Sequence, residues 1–291
     1  MALITGDTKL FGVLSQGATF TLSPCMHNRA AKVLHKDLVY VHFDLASDRV
    51  AAFLDVFWHL GGQGLNVTMP HKNLVASLVE SSGLESVNTL VRGDNGWQGH
   101  STDGEGFIRG LERASVKISD FDSIIILGSG GAAQAILNSI AKETIERPPM
   151  IIVHRRSNLN DQKIRDAVSV GPSQLLTFRR MTPQDFDDTL KSTKDLRRLV
   201  IQATSAPKLG EDMAAYAPAM EHLTGTDCFV DIIYDHPSEI YFSALRLGLK
   251  CLDGLPMLIE QARLSQFLWW KKAASYDELI WAIKESGWKS R

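Results

Sequence analysis

Cysteine is scarce in this chain. Its three thiols, Cys25, Cys228 and Cys251, are too few and too scattered for a disulfide framework or a zinc site. Long apolar runs are also missing: Ile124 to Leu127 and Met150 to Val153 fall far short of the roughly 18 residues that a membrane span requires. Charge of one sign is lacking too. Against 33 acidic residues stand 31 basic ones, a net charge of -2, and no Lys/Arg run occurs. Neither nucleic acid nor a membrane surface is therefore expected as a partner. The start, Met1 to Asp7, has no basic cluster and no long apolar stretch, so a signal peptide is not expected and a cytoplasmic location is. His27 and His71 have no second ligand at metal spacing, and no metal is expected. What is present is an ordinary globular balance, 44% hydrophobic and 22% charged over 291 residues, enough for two domains.

The first hundred residues alternate apolar strands with helical patterns. Phe11 to Leu14, Leu38 to Phe43, Leu65 to Met69 and Val87 to Val91 read as strands, with helices over Ser23 to Leu34 and Arg49 to Leu60. Ser23 is expected to cap the first helix with Pro24 at its first position. The alternation predicts a mostly parallel sheet with flanking helices. A second series begins near residue 120. Ser123 to Leu127, Met150 to Val153, Leu199 to Gln202, Phe229 to Ile233 and Lys250 to Leu252 read as strands, and Ala132 to Ile140 as a helix. Gly104 to Val116 reads as a helix joining the two series, and Pro256 to Trp270 and Tyr276 to Glu285 as closing helices. No Gly/Ser linker separates the series, so any hinge must lie at helix ends.

Gly128-Ser129-Gly130-Gly131-Ala132-Ala133 follows an aliphatic strand and opens an Ala-rich helix. Glycines permit the tight turn and let the backbone approach a pyrophosphate, while the helix N-terminus offers unpaired N–H groups to the phosphates. The next strand ends not in a ribose-binding carboxylate but in His154-Arg155-Arg156-Ser157. Guanidinium groups and a hydroxyl there suit a 2′-phosphate, so NADP is expected as the cofactor, with NAD the lesser alternative.

Four further segments place polar residues at strand ends: Thr21-Leu22-Ser23-Pro24, Asn66 to Lys72, Ser86-Val87-Asn88-Thr89 and Ser101-Thr102-Asp103-Gly104. Strand carboxyl ends are where open α/β sheets bind ligands. Hydroxyls, amides, one lysine and one aspartate make a set suited to a small polyhydroxylated molecule. The order of these motifs resembles the shikimate dehydrogenase family, and the segments are similar to its S-x-S-P, N-V-T-x-P-x-K, V-N-T and N-T-D-G signatures. Gln202-Ala203-Thr204-Ser205, Asp231-Ile232-Ile233-Tyr234 and Gly254 to Gln261 extend the resemblance over nearly the whole chain.

That resemblance implies an α/β architecture: a discontinuous substrate-binding domain over residues 1–105 with 255–291, a central Rossmann-type NADP-binding domain over 106–254, and a cleft between them. It implies reversible oxidation of the shikimate 3-hydroxyl by NADP, with Lys72 and Asp103 as the catalytic pair. Thr21 and Ser23 would contact the substrate carboxylate, Asn66, Thr68, Asn88 and Gln261 would hold ring hydroxyls, and Tyr234 would stand near the carboxylate. Gly128, Ser129, Gly130, Gly131, Ala132, His154, Arg155, Arg156, Thr204 and Gly254 would serve the cofactor. The partner expected is a small ring hydroxy acid, with the chain a monomer or homodimer. Several positions depart from the family pattern: Thr21 for serine, Ser101 and Gln202 for asparagine, Ala18-Thr19-Phe20 where a His-Ser pair is usual, and a shifted proline in Asp235 to Glu239. The alternatives left open are a quinate or aminoshikimate dehydrogenase and a non-catalytic ring-acid-binding regulator.

Overall fold

The computed structural model describes residues 4–17, 20–143, 150–155 and 176–289. Two compact units make up the chain, one from residues 1–106 with 258–289 and the other from 107–257.

The first unit holds β1 (Lys9–Ser15), α1 (Ser23–Val33), β2 (Leu38–Asp44), α2 (Val50–His59), β3 (Gly64–Val67), α3 (Lys72–Leu78), β4 (Thr89–Arg92) and β5 (Trp97–His100). Its sheet runs β2-β1-β3-β4-β5. Pairing is parallel from β2 through β3 but antiparallel between β3 and β4 and between β4 and β5. The expectation of a mostly parallel sheet therefore holds only for its first half. Only residues 93–96 join β4 to β5, and a parallel crossover needs a dozen or more residues. Gly93-Asp94-Asn95-Gly96 is a turn sequence, and Gly96 adopts φ +149°. One face of the sheet buries Leu14, Leu65, Val67 and Leu90 against Leu54 and Phe57 of α2 and Val75 of α3. In another cluster Phe11, Val13 and Tyr40 pack with Ala31 of α1 and with Trp269 and Trp270.

α4 (Asp103–Arg113) and α8 (Leu255–Trp270) each contain a boundary between the two units, and α9 (Tyr276–Glu285) is the last helix among the described residues. The second unit holds β6 (Ser123–Leu127), α5 (Gly131–Glu143), β7 (Met150–Arg155), β8 (Leu176–Arg180), α6 (Pro183–Ser192), β9 (Arg198–Gln202), β10 (Cys228–Asp231), α7 (Glu239–Arg246) and β11 (Lys250–Leu252). Its sheet runs β11-β10-β9-β6-β7-β8, parallel at every pairing. In order of appearance that is 6-5-4-1-2-3, the doubly wound order whose direction reverses between the first and fourth strands. Ser-Ile-Ile-Ile-Leu of β6 is buried at all five residues, as a central strand covered on both faces demands. The reversal point falls between β6 and β9, which puts the glycine loop and the segment from Ala203 at the ligand-binding edge of that sheet.

Candidate active site

In the first unit the strand directions bring distant residues together. β3 and β5 run the same way and end at the edge where β4 begins, with Asn66 opposite Thr89 and Thr89 opposite His100. Residues that follow β3 and β5 and precede β4 thus share one rim: Thr68 and Lys72, Thr102 and Asp103, and Asn88. Lys72 opens α3, and its carbonyl accepts the Val87 N–H at 3.1 Å, tying the helix start to the β4 approach. His71 just before it is fully buried, with Nε2 2.9 Å from the Leu45 carbonyl and Nδ1 3.3 Å from the Ser47 hydroxyl. Both ring nitrogens are committed, which makes His71 an anchor for the turn.

Lys72 donates to Asp103 Oδ2 at 2.6 Å. Their side chains are 17% and 3% exposed, so one member is reachable from solvent and the other is not. Asp103 Oδ1 accepts from Asn88 Nδ2 at 2.8 Å, and Asn88 Oδ1 accepts the Thr102 N–H at 2.8 Å. The carboxylate also sits in the first turn of α4, where the helix dipole favours negative charge. Asn88 Nδ2 lies 3.3 Å from Gln261 Oε1, and Gly106 has no room for a Cβ against Gln261, with atoms at 2.9 Å. An ammonium held by a buried, doubly supported carboxylate can bind an alcohol oxygen and exchange its proton.

Beneath this rim lies a buried polar network. Tyr40 donates to Asn66 Oδ1 at 2.8 Å, and Asn66 Nδ2 reaches Ser265 Oγ at 3.0 Å, Thr89 Oγ1 at 3.1 Å and the Asn88 carbonyl at 3.2 Å. The amide of Asn66 is therefore fixed in orientation, with its N–H groups engaged and its oxygen facing the Tyr40 hydroxyl. His27 stacks on Tyr40 with ring centroids 4.4 Å apart, and burial pushes its pKa down to about 3. Burial likewise raises the Tyr40 phenol, while a hydrogen bond with Ser23 opposes that shift. Tyr40, His27 and Ser265 were not among the residues the sequence singled out. Their only signal was polar character at positions whose neighbours in the pattern are apolar.

Ser23 does not cap α1. It is the first helical residue, preceded by Leu22, and its N–H donates to the Thr21 hydroxyl at 3.3 Å. The local Thr21 turn takes up one of the orphan donors that a cap would satisfy. Thr68 ends β3 through backbone bonds, its N–H donating to the Leu14 carbonyl at 3.0 Å. Thr21, Ser23, Thr68 and Gln261 are all partly exposed.

In the second unit Gly128 adopts φ +119°, and a Cβ there would lie 2.9 Å from the Ala203 carbonyl oxygen. Only glycine fits. Gly130 has open space on its Cβ side, which leaves backbone accessible to an approaching group. Ser129, Gly131 and Ala132 are partly exposed at the start of α5. This cradle at the N-terminus of a 13-residue helix suits a pyrophosphate. Gln202 is buried and folds back on its own turn, accepting the Thr204 N–H at 2.6 Å and donating to the Thr204 carbonyl at 3.2 Å. The Thr204 hydroxyl accepts the Ala206 N–H at 3.2 Å, and its methyl lies 3.1 Å from where a Gly128 Cβ would stand. Gly254 lies against the Ile232 carbonyl, where an added Cβ would have no room. It shapes the turn after β11.

The basic cluster needs correction at one residue. His154 is fully buried, with Nδ1 2.9 Å from the Arg180 carbonyl and Nε2 3.0 Å from Thr189 Oγ1, and burial lowers its pKa. Its ring has no atom left for a cofactor. Its contribution to the loop is the carbonyl, which accepts the Gly128 N–H at 2.8 Å. Arg155 ends β7, largely buried, with its guanidinium 5.7 Å from the Phe178 ring centroid. Arg156 lies outside the described residues. The sequence pattern missed β8, whose exposed Arg179 and Arg180 stand opposite His154 and Arg155. Tyr234 is partly buried in the segment after β10, with the Lys208 ammonium 5.3 Å from its ring centroid.

Among the described residues no helix is long and apolar enough to cross a membrane, and no group of three His, Cys, Asp or Glu side chains could hold a metal ion. Residues 13–90 match the family model for the shikimate dehydrogenase substrate binding domain. A Synechocystis protein named shikimate dehydrogenase (NADP(+)) is 30% identical, over 97% of this chain and 97% of its own. A protein of the same name from Magnetococcus marinus is 32% identical over 91% and 92%. The crystal structure of shikimate dehydrogenase from Aquifex aeolicus superposes with a TM-score of 0.82 at 23% identity, covering 97% of this chain and all of that one. With full-length identity at this level and the motifs in their places on the fold, the chain belongs to the shikimate dehydrogenase family.

Proposed function

We propose that the protein oxidises the 3-hydroxyl of shikimate to a ketone, reversibly, with NADP as the hydride acceptor. The observation that carries this reading is the 2.6 Å Lys72–Asp103 pair, braced by Asn88 on a rim of hydroxyl and amide side chains. Curated relatives of matching length carry the name shikimate dehydrogenase (NADP(+)), which supports the substrate and cofactor. Residues 1–105 with 255–291 serve as the substrate domain and residues 106–254 as the dinucleotide domain, bounds that lie within three residues of the two compact units at their internal junctions.

Lys72 holds the reacting oxygen and exchanges its proton, and Asp103 orients the ammonium. Asn66, Thr68, Asn88 and Gln261 take ring hydroxyls. With both Asn66 N–H groups engaged and one lone pair of its oxygen taken by the Tyr40 hydroxyl, the remaining lone pair is what a ring hydroxyl can meet, so that hydroxyl must donate. Thr21, Ser23 and Tyr234 read the carboxylate. Gly128 to Ala132 hold the pyrophosphate, Arg155 and Arg156 take the 2′-phosphate, and Thr204 and Gly254 shape the nicotinamide end. When bound, NADP supplies the carbon that accepts hydride. The protein acts in the cytoplasm as a monomer or homodimer.

Initial rates with shikimate and with quinate, each tried with NADP and NAD, test this. The expected result is turnover of shikimate with NADP preferred. Preference for quinate makes the chain a quinate dehydrogenase, and no turnover of either acid makes it a ring-acid-binding regulator.

A further inference from the structure

We propose that Asp231 is a positioning residue for substrate binding: its carboxylate clamps the segment between β10 and α7 that carries Tyr234. Asp231 is the last residue of β10 and is fully buried. One oxygen accepts the Ile233 N–H at 2.9 Å and the other the Ser238 N–H at 2.8 Å. A single side chain thus pins both ends of a loop in which Tyr234 and Asp235 stand. Ser238 in turn caps α7, its hydroxyl accepting the Tyr241 N–H at 3.3 Å, so the clamp also sets where that helix begins. The loop entrance is fixed on the other side by Ile232, whose N–H donates to the Gln202 carbonyl at 3.1 Å and whose carbonyl abuts Gly254. Within the loop, Asp235 lies 3.3 Å from Lys208, the cation above the Tyr234 ring.

The clamp needs two acceptors. An ionised carboxylate offers two; a protonated acid or an amide offers one and turns a donor toward the other N–H. Burial pushes the Asp231 carboxyl up to about 6, against the pull of its hydrogen bonds. The titratable neighbours are Asp253 just after β11, itself raised by burial, and Tyr241 on α7, whose phenol burial raises to about 12. Asp253 raises Asp231 further, and neither neighbour supplies a counter-charge. The charged form is therefore kept at a cost, and the clamp loosens as pH falls through about 6.

This inference rests on the reading that Tyr234 contacts the ring acid, and two readouts separate the parts. The variant is Asp231→Asn, which mimics the protonated acid at every pH. Hydrogen exchange of the whole protein at pH 7.5 should show faster exchange across residues 232–238 in the variant, with the rest of the chain unchanged. Steady-state kinetics at saturating NADP should show the wild-type KM for shikimate rising as pH falls through about 6. In the variant KM should be raised about tenfold at pH 8, as loss of one charge-assisted contact suggests, with no acid limb and kcat little altered. Unchanged exchange overturns the clamp. Faster exchange with a wild-type KM and an intact acid limb overturns its role in substrate binding. Lack of shikimate turnover by the wild type would instead sink the proposed function, while the exchange arm still decides the clamp.

Discussion

Replacing Lys72 with Met keeps most of the side chain's bulk and removes only the charge and the proton. The structure sets two consequences of different kind. Loss of acid–base catalysis alone lowers kcat by roughly 10²–10⁴-fold, about 3–5 kcal/mol of barrier. Asp103 is left as a carboxylate 3% exposed, with Asn88 Nδ2 still donating to its Oδ1. Breaking a fully buried pair costs about 3–5 kcal/mol. Lys72 is 17% exposed and water can reach its position, so the expected loss of stability is smaller, about 1–3 kcal/mol. KM for shikimate should change little, since the amide and hydroxyl contacts remain. Asp103→Asn should lower kcat as well, because an amide cannot orient an ammonium by charge. The assay is kcat and KM measured separately on protein shown folded by circular dichroism, with urea denaturation for stability. A kcat within about threefold of wild type and a raised KM would make Lys72 a plain binding residue and refute the reasoning.

Three further outcomes follow from the same geometry. Gly128→Ala forces a side chain onto φ +119° and within 2.9 Å of the Ala203 carbonyl; it should cost about 1–3 kcal/mol and weaken NADP binding, read by thermal melting and cofactor titration. Arg155→Gln should weaken NADP by about 1.5–3 kcal/mol and leave NAD nearly unchanged, and equal losses for both would remove Arg155 from the 2′-phosphate site. His27 is held to a pKa of about 3, below its ordinary 6.5, by burial; the unfolded chain takes up the proton first, so stability is full above pH 6.5 and lost as pH falls toward 3, by up to about 1.4 kcal/mol per pH unit. His27→Phe should flatten that slope in urea denaturation curves run from pH 7 to pH 4.

Most of the second unit was legible because its strands are pure. Ile124 to Leu127 and Leu199 to Gln202 read as buried strands and are buried strands, and the glycine loop between strand and helix marked the candidate cofactor site at the sheet's edge. β8 was not legible, since Leu176-Thr-Phe-Arg-Arg mixes apolar and charged residues at a sheet edge. β5 escaped for a similar reason: Trp97-Gln-Gly-His holds a single large apolar residue. Its turn was written plainly in Gly93 to Gly96. At the site, motifs identified Lys72, Asn88 and Asp103, but nothing local distinguishes the exposed tip of a binding residue from the buried brace behind it. Thus His154 reads as a cofactor residue by position, yet it faces the core because Thr189 and the Arg180 carbonyl satisfy its ring. Tyr40 reads as strand filler, yet its hydroxyl holds Asn66.

The antiparallel half of the first sheet explains why Lys72 and Asp103, 31 residues apart in sequence, pair at all. In a purely parallel sheet, every strand end at the ligand edge would be followed by a helix leading away, and successive ends would be separated by a full crossover. Reversing β4 brings its start, not its end, to that edge, so Asn88 enters the rim from the opposite chain direction. Asn88 then bridges the two strand ends it lies between, donating to Asp103 after β5 while Val87 beside it ties down Lys72 after β3. Asn88→Ala would leave Asp103 Oδ1 without its amide donor and free the Thr102 N–H that Asn88 Oδ1 accepts. The sequence separation is thus closed by one asparagine at a strand reversal, with the four-residue β4–β5 turn supplying the reversal's return.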